Sequence, residues 1–196
     1  RADLAAATNQ WIITYFHHSP YTKGSHDSDA PYETSMIEMR QNFLPILEAK
    51  GVDLVLGGHS HVYERSYLLR GHYGRSTNLT PAMILDPGSG SESETGAYIK
   101  PASGPLGNRG TVYVVVGTGC CLESQIGQHP AMFTNRMQLG SLVFEIYSNR
   151  LEAVFLRETG AIDDYFTIRK ENPRSLVWSG AADATTWSLS AQNWSN

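Results

Sequence analysis

Histidine is concentrated in the first third of the sequence, in a pattern that could bind metal ions. The chain has seven histidines, and five of them fall between residues 17 and 61. The sharpest motif is Gly58-His59-Ser60-His61, in which one residue separates two imidazoles. Histidine is the commonest transition-metal ligand and the usual proton carrier near neutral pH. The motif therefore predicts a Zn, Fe or Mn site.

Two apolar runs with a helix between them are expected to position these histidines. WIITYF, at residues 11–16, and VDLVL, at residues 52–56, are typical of buried strands. Ser35 and Glu38 form a capping box that predicts the start of the intervening helix, and Pro45 predicts a kink within it. A strand, a helix and a strand with short links predict a βαβ unit with parallel strands.

The histidines follow the carboxyl ends of both predicted strands. His17 and His18 follow the first strand, and His59 and His61 follow the second. In extended backbone, residues i and i+2 point the same way, so His59 and His61 are expected to face one site together. Because neighbouring parallel strands end at the same edge of a sheet, we expect His17 or His18 to lie beside them.

The later sequence predicts a layered α/β protein with a mostly β end. Residues 71–110 are rich in glycine and proline, which predicts a long irregular insertion with one short strand at residues 82–85. Continuous β patterns then follow, and the last three are expected to be antiparallel: 111–117, 139–148, 150–158 and 163–170.

Composition excludes several classes of protein. The chain has 196 residues, with 15 Lys and Arg against 19 Asp and Glu, and the resulting net charge of −4 argues against binding to duplex nucleic acid. No apolar run approaches the roughly 20 residues of a membrane span. Cys120 and Cys121 are adjacent, which leaves open a reduced pair or a strained vicinal disulfide and does not match the spacing of a zinc site.

These motifs resemble the metallophosphoesterase (calcineurin-like) superfamily, and within it the purple acid phosphatase-like branch. WIITYFHHSP and GGHSHVYERS are similar to the last two of the family's five metal-binding blocks, and the later strands also resemble the family. The resemblance covers residues 1–170. It implies the C-terminal half of a layered αββα sandwich, with the later strands as its β end.

The resemblance implies a dinuclear site for two divalent or trivalent metal ions, of Fe, Zn or Mn. By the family pattern, His17 and His59 would bind one ion and His61 the other, and a metal-bound hydroxide would attack phosphorus. His17 is favoured because it stands six residues after Trp11. His18 is the rival, since it keeps the family's distance to Pro20.

Other residues take further roles by the same resemblance. His26 corresponds to family histidines that hold the phosphate or protonate the leaving group, so it is the candidate catalytic residue. Four residues are expected to contact and orient the metal-binding histidines without binding the ions themselves: His18, Tyr63, Glu64 and Arg65. His72 and His129 are expected to be ordinary surface or loop residues.

The chain is expected to carry only half of such a site. The family's first three blocks, DxG, GDxxY and GNH, do not occur as a set in it. The expected partners are therefore a missing N-terminal half of the same domain and a small phosphate ester, and the isolated chain is expected to be inactive. Residues 171–196, with three tryptophans among Ser, Ala and Thr, are expected to be a linker and the start of a Trp-rich surface repeat domain.

The expected function is hydrolysis of phosphate monoesters, as in an acid phosphatase. Two alternatives stay open: a phosphodiesterase or nucleotide hydrolase of the same superfamily, and a non-catalytic cell-surface module with vestigial histidines. By resemblance, the protein is expected to be secreted, periplasmic or at the cell surface.

Overall fold

A parallel strand–helix–strand unit begins the fold of the computed structural model, which describes residues 2–7, 10–102, 107–171, 177–178 and 194–195. A short helix, α1 (Ala2–Ala6), precedes β1 (Ile13–His18). The next strand, β2 (Leu54–Gly58), pairs with β1 in parallel, with Ile13 opposite Leu54. The predicted βαβ unit is thereby confirmed.

The helical region between these strands is irregular. It consists of α2 (Thr34–Glu38), a π-helical segment (Met39–Phe43) and α3 (Leu44–Ala49). Pro45 lies in the first turn of α3 and has no N–H to bond to the preceding turn. A wider π-helical turn therefore stands next to the position where the sequence predicts a kink.

The predicted capping box at Ser35 and Glu38 is wrong. The helix begins at Thr34, and its N-cap is Glu33, two positions before the predicted cap at Ser35. No side chain caps this end of the helix. The carboxylate of Glu33 contacts the imidazole of His26 instead, so it is not free to accept from the first turn.

Two sheets hold most of the remaining strands. The first has the order β1-β2-β7-β3-β8, and the second has the order β6-β11-β10-β9. The strands are β3 (Tyr63–Ser66), β4 (Leu68–Leu69), β5 (Ile84–Asp86), β6 (Tyr98–Pro101), β7 (Val112–Val116), β8 (Met132–Arg136), β9 (Gly140–Tyr147), β10 (Arg150–Arg157) and β11 (Ile162–Glu171). The sequence predicted the antiparallel order of β9, β10 and β11. It did not predict β3, β6 or β8.

The glycine-rich insertion is more ordered than its composition indicates. It contains two 3-10 turns, at Ser76–Asn78 and Pro81–Met83, and the short strand β5, which pairs with β4. Its strand β6 pairs in parallel with β11 at one edge of the second sheet. The buried Lys100 of β6 forms an ion pair with the buried Asp53, which anchors the insertion to the segment before β2.

The helices and the two sheets form three layers. On β2, Leu54 faces the second sheet, whereas Val55 faces the helices. On β7, Val114 and Val115 alternate in the same way, as side chains on successive strand positions must. The described residues thus supply a helix layer and two stacked sheets of an αββα sandwich, which confirms the predicted α/β class with a β-rich end.

Part of the tryptophan-rich segment also pairs. The strand β12 (Val177–Trp178) lies antiparallel to β13 (Trp194–Ser195). Trp187 lies outside the described residues, and the domain boundary at residue 171 stays a prediction. In the part of the chain that the structure describes, no helix has the length and apolarity needed to cross a membrane.

Candidate metal centre

Three histidines meet at the carboxyl edge of the parallel strands. β1 ends in His17 and His18, and His59 follows β2 directly. His17 Nε2 lies 3.1 Å from His59 Nδ1. One ring nitrogen from each of the three histidines lies within 4.8 Å of the others. Imidazole nitrogens at this spacing fit a transition-metal ion.

The turn after β2 is left-handed at His59 and is not extended as the sequence predicted. His59 has a φ of +67°, and Ser60 N donates to Gly58 O at 2.8 Å. A non-glycine residue in this region costs about 1–3 kcal/mol and is typical of functional sites. The turn separates the two histidines: His59 joins His17, whereas His61 joins Cys120 and Cys121.

His26 reaches His59 from the loop that follows β1. The two ring centroids are 4.0 Å apart. The Glu33 carboxylate lies beside both rings, with Oε1 at 2.6 Å from His26 Nδ1 and Oε2 at 3.8 Å from His59 Nε2. Ser60 Oγ accepts from the backbone N–H of His26 at 3.2 Å, which ties the loop to the turn after β2.

Glu33 is a candidate site residue that the sequence analysis missed. It stands seven positions after His26 and 26 before His59, and this spacing matches no motif. Only the fold of the loop and the helix start bring its carboxylate to the two imidazoles.

The environment of His59 favours its neutral form. Partial burial lowers the pKa of the His59 imidazole, the neighbouring His26 and His18 lower it further, and Glu33 acts in the opposite direction. A neutral imidazole is the form that binds a metal ion. Next to His17, an open groove of about 620 Å³, lined by Tyr15, Gly58 and Leu142 among others, leaves room for a small substrate.

His61 lies among polar groups of another loop. Its Nδ1 is 3.2 Å from Glu123 Oε1 and 3.4 Å from Cys121 Sγ. Its backbone N–H donates to Ser25 Oγ at 3.0 Å. The two cysteines are unbonded in this structure, with 2.8 Å between their sulfur atoms.

Tyr63 and Arg65, predicted to support the metal ligands, bond to the second sheet instead. Tyr63 Oη donates to Asp164 Oδ2 at 2.6 Å, and Arg65 bonds both oxygens of the same carboxylate. Arg65 is fully buried, and this ion pair raises the pKa of its guanidinium. Because Asp164 lies on β11, both side chains join the two sheets behind the site.

Glu64 supports the loop that carries His26. Its Oε1 accepts from the backbone N–H of Lys23 at 3.2 Å. Burial raises the pKa of the Glu64 carboxyl to about 7, against bonds from Thr22 and Lys23 that lower it. Glu64 therefore acts on the loop and has no contact with the histidine rings among those the structure describes.

The expectation that His72 and His129 are surface residues is wrong. Both are fully buried around Tyr21, and the two imidazole centroids are 6.0 Å apart. Burial lowers the pKa of His72 to about 4 and that of His129 to about 3, so both rings are neutral at pH 7. Both histidines therefore belong to the core around Tyr21.

Comparison with known proteins gives the chain its family context. Residues 2–63 match the model of the calcineurin-like phosphoesterase family. Two uncharacterized proteins of Mycobacterium tuberculosis, from strains CDC 1551 / Oshkosh and ATCC 25618 / H37Rv, are 32% identical over 123 residues. That alignment covers 61% of this chain and 20% of each relative, so the chain spans about a fifth of the length of the curated relatives it matches.

Two solved structures share the fold. The purple acid phosphatase PPD1 from yellow lupin (Lupinus luteus) seeds superposes with a TM-score of 0.59 at 20% identity, covering 86% of this chain and 27% of that chain. GAP50, the anchor in the inner membrane complex of Plasmodium, superposes with a TM-score of 0.54 at 14% identity, covering 88% of this chain and 40% of that chain.

The family match over residues 2–63 and the shared fold support an assignment to the metallophosphoesterase superfamily. The matched residues hold β1, the helical region, β2 and the His59 turn, which together build the histidine cluster. Members of this superfamily use divalent or trivalent metal ions.

Proposed function

We propose that this chain supplies the histidine half of a dinuclear site that hydrolyses phosphate monoesters. The observation that carries the proposal is the approach of His17 Nε2 to within 3.1 Å of His59 Nδ1 at the carboxyl edge of two parallel strands. Open α/β sheets bind their ligands at this edge. The match of residues 2–63 to the calcineurin-like phosphoesterase family supports phosphate ester hydrolysis as the reaction.

The donor atoms fit metal ions of the kind the superfamily uses. His17 and His59 would hold one ion and His61 the other, and Fe, Zn and Mn all accept imidazole ligands. When bound, the ions supply Lewis acidity toward the phosphoryl oxygens and activate water. The neutral state of His59 keeps its ring ready for ligation.

His26 is proposed as the general acid for the leaving group. Its Nδ1 faces Glu33 Oε1 at 2.6 Å, which fixes the orientation of the ring. With Nδ1 engaged, the proton for the leaving oxygen would sit on Nε2. Glu33 then acts as a positioning residue for the His26 ring.

The remaining ligands are proposed to come from outside these 196 residues. The one DxG string in the chain, at Asp86-Pro87-Gly88, is used locally: Asp86 Oδ1 accepts from Gly88 N at 2.8 Å. Asp86 belongs to none of the candidate metal-binding groups among the described residues. Two nearby cations need carboxylates between them, so we propose that residues 1–170 form the C-terminal half of a longer catalytic domain.

The purple acid phosphatase branch is proposed from the GHSHVYER string and from the fold shared with the lupin enzyme. We propose an extracytoplasmic location for the same reason, with residues 171–196 as a linker into a following domain. A non-catalytic module is the second candidate, since GAP50 shares the fold and is described as an anchor. Metal binding at the histidine cluster, if measured, would favour the enzyme over the non-catalytic module.

Metal binding by the full 196-residue chain tests the proposal. Calorimetric titration with Mn²⁺ should show a site that weakens at least about tenfold in His59→Ala. His17→Ala should weaken it similarly, whereas the matched variant His18→Ala should have a smaller effect if His17 is the ligand. Circular dichroism checks that each variant folds. Equal binding by wild type and His59→Ala would refute the assignment.

A further inference from the structure

We propose that His61, Cys120 and Cys121 form a binding site for a thiophilic divalent cation such as Zn²⁺, with Glu123 as the fourth ligand. The one nitrogen and two sulfur atoms lie within 4.8 Å of one another. The site shares His61 with the proposed phosphoesterase centre but otherwise uses a different loop.

The distances suit a tetrahedral ion. With Zn–S of about 2.3 Å and Zn–N or Zn–O of about 2.0–2.2 Å, ligand atoms at tetrahedral angles lie about 3.3–3.8 Å apart. His61 Nδ1 lies 3.4 Å from Cys121 Sγ and 3.2 Å from Glu123 Oε1. The two sulfur atoms, at 2.8 Å, must move apart by about 1 Å to bind one ion.

The donor set is the one that zinc prefers. Two thiolates, one imidazole and one carboxylate match the ligands of protein zinc sites in type and number. No sequence motif indicates this site, because zinc-binding cysteines are usually separated by two to four residues. Here the second pair of ligands comes from His61, on the turn after β2, and from Glu123, just beyond the cysteines.

The site is accessible from solvent. Cys120 and Cys121 are exposed free thiols on the loop that follows β7. Ligation would release the two thiol protons to solvent, and both electron pairs would then bind the cation. Soft thiolate ligands select Zn²⁺ or Cd²⁺ over Mn²⁺ and Mg²⁺. A soft cation bound here would also occupy His61, which the phosphoesterase centre requires.

Cadmium titration of the reduced full chain tests this site, because Cd²⁺–thiolate bonds give an ultraviolet charge-transfer band. We expect one Cd²⁺ per chain, and Zn²⁺ should displace it with loss of the band. Cys120→Ser, Cys121→Ser and His61→Ala should each weaken binding at least about tenfold. Glu123→Gln should have a smaller effect in the same direction.

The control is His59→Ala, which removes one histidine of the neighbouring cluster and leaves all four proposed ligands. It should keep the full charge-transfer band, even if the proposed phosphoesterase metal is lost. Absence of the band in the wild-type chain, or an unchanged band in the Cys120→Ser/Cys121→Ser double variant, would overturn the site. Unchanged affinity in His61→Ala would exclude the imidazole as a ligand and overturn it as stated.

Discussion

At the scale of single residues, the chain uses its histidines in two opposite ways. His17, His18, His26 and His59 lie partly exposed around one edge of the first sheet, where solvent and ions can reach them. His72 and His129 are sealed in the core, where burial keeps them neutral. Histidine therefore forms the candidate site at the sheet edge, whereas in the core it makes the stability of the fold depend on pH.

The buried His129 predicts that the fold weakens in acid. Its pKa is lowered to about 3 in the folded chain, whereas the unfolded chain binds the proton near pH 6.5. Stability is therefore complete above pH 6.5 and falls as the pH drops from 6.5 toward 3. Relative to His129→Leu, the wild type should lose about 2 kcal/mol of unfolding free energy between pH 7 and pH 5.

Urea unfolding of both proteins at the two pH values measures this difference. The variant itself is expected to be less stable at pH 7, since the ring accepts a bond from Ala131 N at 3.2 Å. Only the change with pH bears on the titration of His129. Parallel loss of stability in wild type and variant would show that His129 does not titrate as predicted.

At the scale of elements, the strand ends hold the site in place. The turn that carries His59 and His61 packs against the end of β7, where Gly117 N donates to Val62 O. A Cβ at Gly117 would lie 2.0 Å from Ser60 O, which is too close for any side chain. The strand β3 then returns antiparallel to β7 and bonds Asp164 in the second sheet. The turn of His59 and His61 is therefore held by its contact with Gly117 on one side and by the strand β3 on the other.

The glycine at the end of β7 gives a prediction about this turn. Gly117→Ala should displace the turn of His59 and His61 and weaken metal binding at the histidine cluster at least about tenfold, comparable to the loss of an orienting contact. Gly119→Ala is the matched control, because a Cβ there meets nothing within 4 Å. Calorimetric titration compares the two variants. Wild-type affinity in Gly117→Ala would contradict the requirement for close approach.

At the scale of the whole molecule, the described residues form three layers of a sandwich. The helices cover one face of the first sheet, and the second sheet covers the other. The histidine cluster sits at the rim of this arrangement, beside an open groove at His17. Among the described residues, Glu33 is the carboxylate that joins the cluster at His59. A dinuclear centre therefore requires carboxylates from elsewhere, as proposed above.

This arrangement predicts that the 196 residues alone are nearly inactive. Turnover of p-nitrophenyl phosphate by the isolated chain with added metal should not exceed that of the metal in buffer. The longer protein that contains this chain should hydrolyse the monoester faster than bis(p-nitrophenyl) phosphate. Steady turnover by the isolated chain would disprove the half-site proposal, and a preference for the diester would favour a phosphodiesterase.

Local sequence determined the βαβ unit, the three antiparallel strands and the meeting of histidines at one sheet edge. These follow from apolar runs and from the rule that parallel strands end together. Tertiary structure alone decided that His59 lies with His17 and that His61 lies apart from them, because the left-handed turn at His59 depends on packing against β7. It also brought Glu33 to His26, the cysteine pair to His61, and His129 into the core. Such contacts join residues distant in sequence, and no local pattern records them.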